Sequence, residues 1–196
     1  MSEKIHFDVK FIPAGTGSAV WDDPHAAQVV NRFMPQNRRH GPMLGILHLG
    51  AVHPTPRVLR DVVVTIGEDI KAGRYGDFSF FICSEDEDTR SVIGDIAASQ
   101  NVAMFVSGSS NDFRHAEPVG GLTGKDRETL NFILEAGGTV TGMDLAVQLG
   151  IEKTASGNRL ASLHKKGYLQ RVERSHPVGD LFIDPRSVHF TQFIGE

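Results

Sequence analysis

Cysteine is nearly absent from this 196-residue chain: only Cys83 is present, inside the apolar run Phe78 to Cys83, so no intrachain disulfide can form and an inert core thiol is the simplest reading. No apolar run approaches the roughly 20 residues that cross a bilayer, and the opening MSEKIHFDVK has no secretory-type apolar stretch. These features together point to a cytoplasmic protein. Basic excess is also missing. Residues 1–121 hold 11 Lys+Arg against 15 Asp+Glu, and residues 122–184 hold eight of each, within a net charge of −4. That excludes a body held to polyanions by bulk charge, so any such binding must come from a local patch. There is no internal repeat and no low-complexity tract.

What is present begins with alternating strand and helix signals. Leu44 to Leu49 (LGILHL) reads as a buried strand. Thr55-Pro56 then supplies an N-cap and a first-turn proline for a helix whose apolar positions Val58, Leu59, Val62, Val63, Ile66 and Ile70 recur at helical spacing, ending near Gly73. Phe78 to Cys83 (FSFFIC) is the next strand, and Ser84 to Glu87 has the spacing of a capping box before a helix with Val92, Ile93, Ile96 and Ala97. Val102 to Val106 closes the series. Short connections between these elements imply right-handed crossovers and three neighbouring parallel strands. Upstream, His6 to Ile12 alternates like an edge strand and Asp23-Pro24 starts a short helix through Phe33. The N-terminal part therefore reads as an α/β domain over residues 1–110, with a short, mainly parallel sheet and flanking helices.

Residues 107–121 are rich in Ser, Gly and Asn, and 111–121 is taken as a linker. Beyond it, Thr123 caps a helix with Leu130, Ile133 and Leu134 apolar and Gly137 as its stop. Thr141 caps a compact helix with Met143, Leu145, Ala146 and Leu149 on one side. Gly150 turns into a third helix with Leu160 and Leu163 inward, closed by Gly167 before the strand Tyr168 to Val172 and a returning strand, LFID. Three helices followed by a two-stranded hairpin is the winged-helix order, over residues 122–184, with a tail over 185–196.

The stretch LGIEKTASGNRLASLHKKGYLQRV resembles the second half of winged-helix transcriptional regulators of the MarR and ArsR kind, through Leu149, Gly150, Ile151, Lys153, Thr154, Leu163, Lys165, Lys166, Gly167 and Leu169. The resemblance implies a recognition helix over 153–166, double-stranded DNA as partner and a homodimer on a palindromic site. At 100° per residue, burying Leu160 and Leu163 sends Ala155, Asn158, Ser162 and Lys165 outward, with Thr154 and Arg159 at the rim. Asn pairs with adenine and Arg with guanine, each worth roughly 1–3 kcal/mol of discrimination. Lys153, Thr154, Ser162, Lys165 and Lys166 reach phosphate or base edges. The helix start at Thr141 offers backbone amides to a phosphate, and Arg171, Arg174 and His176 put charge on the wing. Glu152 and Glu173 oppose that binding. The tail segment Ser187 to Ile194 (SVHFTQFI) either forms the dimer contact or covers its own domain.

Ligands of parallel sheets sit at the carboxyl ends of the strands, which places an effector site at His53, Ser84, Ser107 and Ser109. Glu85, Asp86, Glu87 and Asp88 there favour a cationic or neutral effector, or a protein partner, over an anion. His40, His48 and His53 lack the paired spacing of a zinc site. The phosphate-loop-like GGLTGKD has Asp126 where Ser or Thr is required, so neither metal nor cofactor is expected. No local Ser-His-Asp or Cys-His signature points to catalysis. The expectation is a non-enzymatic DNA-binding regulator whose N-terminal part senses an effector or partner. The alternatives are a winged helix that docks to protein and, third, a small-molecule enzyme using His53.

Overall fold

The computed structural model describes residues 8–13, 20–34, 42–50, 52–109, 112–173 and 179–187. In chain order the first part comprises β1 (Asp8–Pro13), β2 (Val20–Trp21), α1 (Ala26–Phe33), β3 (Met43–Gly50), β4 (His53–Pro54), α2 (Pro56–Lys71), β5 (Phe78–Ser84), α3 (Glu87–Gln100), β6 (Met104–Ser107) and β7 (Glu117–Val119). Local chemistry sets the helix starts. The Thr55 hydroxyl accepts from the Val58 amide ahead of Pro56 at the first turn of α2, and the Asp86 carboxylate accepts from the Thr89 amide to begin α3. The capping box read at Ser84 is thus displaced by two residues. Ser84 is the last residue of β5, and its hydroxyl accepts from the Asp86 amide to shape the turn.

Five strands form one sheet in the order β1-β3-β5-β6-β7; the first four are parallel and β7 is antiparallel. The separate pair β2-β4 is short and parallel. From β1 to β6 every crossover steps one place in the same direction. Right-handed crossovers that never reverse put all their helices on one face. The side chains agree: Met43, Leu47, Leu49, Phe78, Phe80, Ile82, Met104 and Val106 share a core with α1, α2 and α3. The alternate residues Leu44, Ile46, Phe81, Cys83 and Phe105 point to the face no crossover helix covers.

The second half of the chain covers that face. It comprises α4 (Gly124–Glu135), β8 (Thr139–Thr141), α5 (Gly142–Leu149), α6 (Lys153–Lys166), β9 (Gln170–Val172), β10 (Leu181–Ile183) and a 3-10 turn, Pro185–Ser187. Both α4 and α5 start with reciprocal capping boxes, Thr123 with Asp126 and Thr141 with Asp144. Left-handed Gly150 (φ 61°) and Gly167 (φ 93°) end α5 and α6, a conformation that costs glycine little. The strands form a small sheet, β8-β10-β9. Leu130, Ile133, Leu145, Leu160, Leu163, Tyr168 and Phe182 bury against Leu44, Ile46, Phe81 and Phe105 in one core. Phe81 stacks on Phe105 at 4.8 Å between centroids and meets Phe113 edge-on at 4.7 Å, and Phe105 meets Tyr168 edge-on at 6.1 Å.

Two local expectations change. Met143, placed on the buried side of α5 with Leu145, Ala146 and Leu149, is half exposed, whereas Leu145 and Ala146 are buried as expected. The stretch 111–121, read as a linker, contributes β7 to the sheet and buries Phe113 and Ala116. The Ser- and Gly-rich residues just before it, 107–110, hid these anchoring residues. Cys83 is buried, which pushes its thiol up to about 12.

Since one core joins sheet and winged helix, unfolding should be a single transition by fluorescence and far-UV circular dichroism alike. Phe105→Ala should lower stability by about 3–5 kcal/mol without splitting it. Cys83 should react with a thiol reagent only as fast as the chain unfolds.

Candidate nucleic-acid interface

Helix α6 is held from beneath. Leu160 and Leu163 are fully buried, and buried Ser156 donates its hydroxyl to the Gly142 carbonyl at 2.5 Å and to the Lys153 carbonyl at 2.8 Å, tying α6 to the start of α5. The opposite side carries Thr154, Ala155, Asn158, Ser162 and Lys165, all exposed, while Lys153, on the Leu160 stripe, is exposed as the first residue of the helix. The structure therefore gathers five of the sequence-expected contact residues on one open helical face, with Lys153 exposed at its start.

The remaining cations are drawn towards carboxylates. Arg159 is half-buried, with one guanidinium nitrogen 3.7 Å from Glu128 on α4. That nitrogen has no hydrogen-bond partner. The Lys166 ammonium donates to Asp126 at 2.9 Å. Burial alone would raise the Asp126 carboxyl, but hydrogen bonds from Lys166 and Thr123 outweigh it and hold the group below the usual carboxylate range. Arg171 spans the β9–β10 pair to Asp180 at 2.8 Å through its Nε. Thr141 is buried, and its hydroxyl is engaged with Asp144, whose carboxylate also accepts from the Thr141 amide. The start of α5 is thus already occupied by its own carboxylate, which works against a phosphate there. Arg174 and His176 lie outside the described residues.

The end of α6 and the following strand are fastened to the sheet by polar contacts that sequence reading missed. Asp77, just before β5, accepts from the Arg171 amide at 2.9 Å and pairs with His164 Nε2 at 3.1 Å. Ser79 donates to the Gly167 carbonyl at 3.0 Å, buried Gln170 to the Met43 carbonyl at 2.6 Å, and Tyr168 to the Val119 carbonyl at 2.8 Å. Arg186, read as part of a tail, is buried beside Asp184 with contacts of 2.6 to 3.1 Å, and its guanidinium lies 5.9 Å from the Phe105 ring centroid. Ionised groups inside apolar surroundings have no periodic signature. Only a Gln or Arg interrupting a buried strand hints at them.

Of the four effector candidates, the three serines fall at one end of the sheet, but their polar atoms serve their own loops. Ser107 donates to the Ser109 carbonyl at 2.8 Å and accepts from the Ser109 amide at 3.1 Å, while Ser84 accepts from Asp86. Arg90 straps the same turn by donating to the carbonyls of Ser84 and Glu85, both at 2.8 Å. His53 is exposed on β4. A cleft of about 580 Å³ opens beside the serines, between α3, β7 and the start of α4, bordered by Arg90, Asp95, Gly108, His115, Glu117 and Arg127 but by none of the four candidates. Among the described residues no three histidine, cysteine or carboxylate side chains gather as a metal would require, and no helix is long and apolar enough to cross a membrane.

Residues 120–177 match the family model of the MarR family. The C-terminal part of the chain is a MarR-like winged helix. No curated protein and no solved structure matches the chain. Within this winged helix α6 occupies the third-helix position and β9–β10 form the wing, while the matched span stops short of Asp184 and Arg186.

Removing the Asp184 carboxylate would strand Arg186 as a buried, unpaired charge. Asp184→Ala should therefore cost about 3–5 kcal/mol in denaturant titration. Asp77→Ala, which releases one amide and one imidazole, should cost about 1–3 kcal/mol.

Proposed function

We propose that this chain is a sequence-specific DNA-binding transcription regulator that lays α6 in the major groove. The observation that carries this reading is the open face of α6, where Thr154, Ala155, Asn158, Ser162 and Lys165 stand opposite buried Leu160 and Leu163, with Lys153 exposed at the helix start. Short polar side chains flanked by lysines suit base edges flanked by phosphates. The match to regulators of the MarR family supports the same reading. Asn158 is the natural reader of adenine, and Arg159 reads guanine once it leaves Glu128. One winged helix spans a half-site, so a homodimer on a palindrome follows.

In this reading residues 1–110, together with β7, form the part that receives an effector or partner, and 122–184 form the winged helix-turn-helix. The protein is cytoplasmic and non-catalytic and needs no cofactor. Signals from the α/β part act by reorienting the recognition helix relative to its dimer mate, since the two parts of one chain share a core. A second reading, docking of the winged helix to protein, draws on a different observation. Arg159, Lys166 and Arg171 are each paired with carboxylates, and Met143 and Val147 are 49% and 76% exposed one turn apart on α5.

Selection of bound sequences from a random duplex pool tests the first reading. A symmetric enriched motif is expected. Asn158→Ala should cost about 1–3 kcal/mol at a single position of each half-site, and Arg159→Ala should relax another. Glu128→Ala, which frees Arg159 and removes a carboxylate, should tighten binding several-fold in a gel shift. A pool with no enriched motif, alongside retention of a protein partner in pull-downs, would favour the second reading.

A further inference from the structure

The C-terminal half of α6 does not stand alone. Its Ser162, Lys165 and Lys166 border one cleft of about 240 Å³ together with Lys71, the last residue of α2, and Asn101, which follows α3. Three lysines and no carboxylate line that cleft among the described residues. Among the described residues Lys165 is exposed without an ion-pair partner, and Lys71 has a single, exposed contact with Glu68 at 3.4 Å, the kind of pair that contributes little and exchanges readily. Asn101 holds the left-handed region at φ 53° as the cap of α3, and Gly121 across from it has no Cβ to displace the Asn101 side-chain amide. The amide is exposed and makes no hydrogen bond with the described residues.

We propose that this cleft is a phosphate-binding site for the DNA backbone, built jointly by the α/β part and the recognition helix, in which Lys71 and Asn101 supply contacts beyond those of the winged helix. The inference rests on the regulator reading. A duplex seated on Asn158 and Ser162 runs its sugar-phosphate strand past the C-terminal half of α6, where Lys71 and Asn101 stand beside Lys165. Ammonium groups attract a phosphate as point charges, and the Asn101 amide and Ser162 hydroxyl donate to its oxygens. Such contacts carry no sequence information; they set affinity and salt dependence.

Fluorescence anisotropy of the full chain on its selected duplex and on a scrambled duplex, over a range of salt concentrations, tests the site. Lys71→Ala and Asn101→Ala should each weaken binding to both duplexes about 3- to 10-fold and leave their ratio unchanged, and Lys71→Ala should flatten the plot of log affinity against log salt by about 0.9. Asn158→Ala, in contrast, should lower the ratio. Lys71→Arg should restore binding. These positions are exposed, and a thermal melt matching the unaltered protein verifies folding. Unchanged affinity and slope for Lys71→Ala, Asn101→Ala and Lys71→Glu overturn the site while leaving the regulator reading intact. Stabilisation of the DNA-free protein by inorganic phosphate that Lys71→Ala abolishes, with DNA binding unaffected, assigns the cleft to a small anion and also overturns it. An unaltered protein that binds no duplex overturns both readings.

Discussion

A sheet built by crossovers that never reverse has one face it cannot cover with its own helices, and in this chain that face carries Leu44, Ile46, Phe81 and Phe105. Left open to water, side chains of this size would forfeit much of the hydrophobic stabilisation available to the sheet. The winged helix fills the vacancy. Its own inward residues, Leu130, Ile133, Leu145, Leu160 and Leu163, would otherwise have to close a core only among themselves, and small domains struggle to do so. Each half thus completes the other. The aromatic group of Phe81, Phe105, Phe113 and Tyr168, drawn from the sheet, the connecting segment and the winged helix, is where that dependence is concentrated.

Around this apolar seam lies a ring of directional contacts. Burial alone would tolerate sliding of one layer over the other, because apolar attraction has no preferred register. The bonds from Ser79 to Gly167, Gln170 to Met43, Tyr168 to Val119 and Arg171 to Asp77, with the Asp184–Arg186 pair beneath, fix the angle between sheet and winged helix. Gly167 is central to this. Besides ending α6, its bare Cα accommodates Ile70 of α2, where a Cβ would come within 2.8 Å of that side chain. A residue whose role in the winged helix is to turn the chain is here also part of the seat.

Individual elements were readable because periodicity and caps are local. The Thr55-Pro56 start of α2, the strands around Leu44 to Leu49 and Phe78 to Cys83, the three helices after Thr123 and the outward set on α6 all follow from spacing. The packing of the two parts was not, although a trace of it is present. Phe78 to Cys83 is apolar without alternation, the mark of a strand covered on both faces, while the crossover helices supply cover for one. The segment 107–121 misled because Phe113, Ala116 and the three residues of β7 are sparse among turn-formers. The charge pairs of Arg159, Lys166 and Arg171 are long-range in sequence or arise from side-chain reach, and no spacing rule announces them. Lys71 and Asn101 sit in the α/β half, and only their position in space brings them to α6.

The anchorage of α6 at one end gives the molecule a lever. Fourteen residues at 1.5 Å each make a rod of roughly 21 Å, seated on the sheet near His164 and Gly167 and carrying Thr154 at its far tip. A tilt of the winged helix by about 5° about that seat sweeps the tip through roughly 2 Å over a rod of this length. A displacement of that size is comparable to the span of a hydrogen bond. Small adjustments at the strand ends are thereby magnified at the exposed residues of the first turn of α6, farthest from the seat.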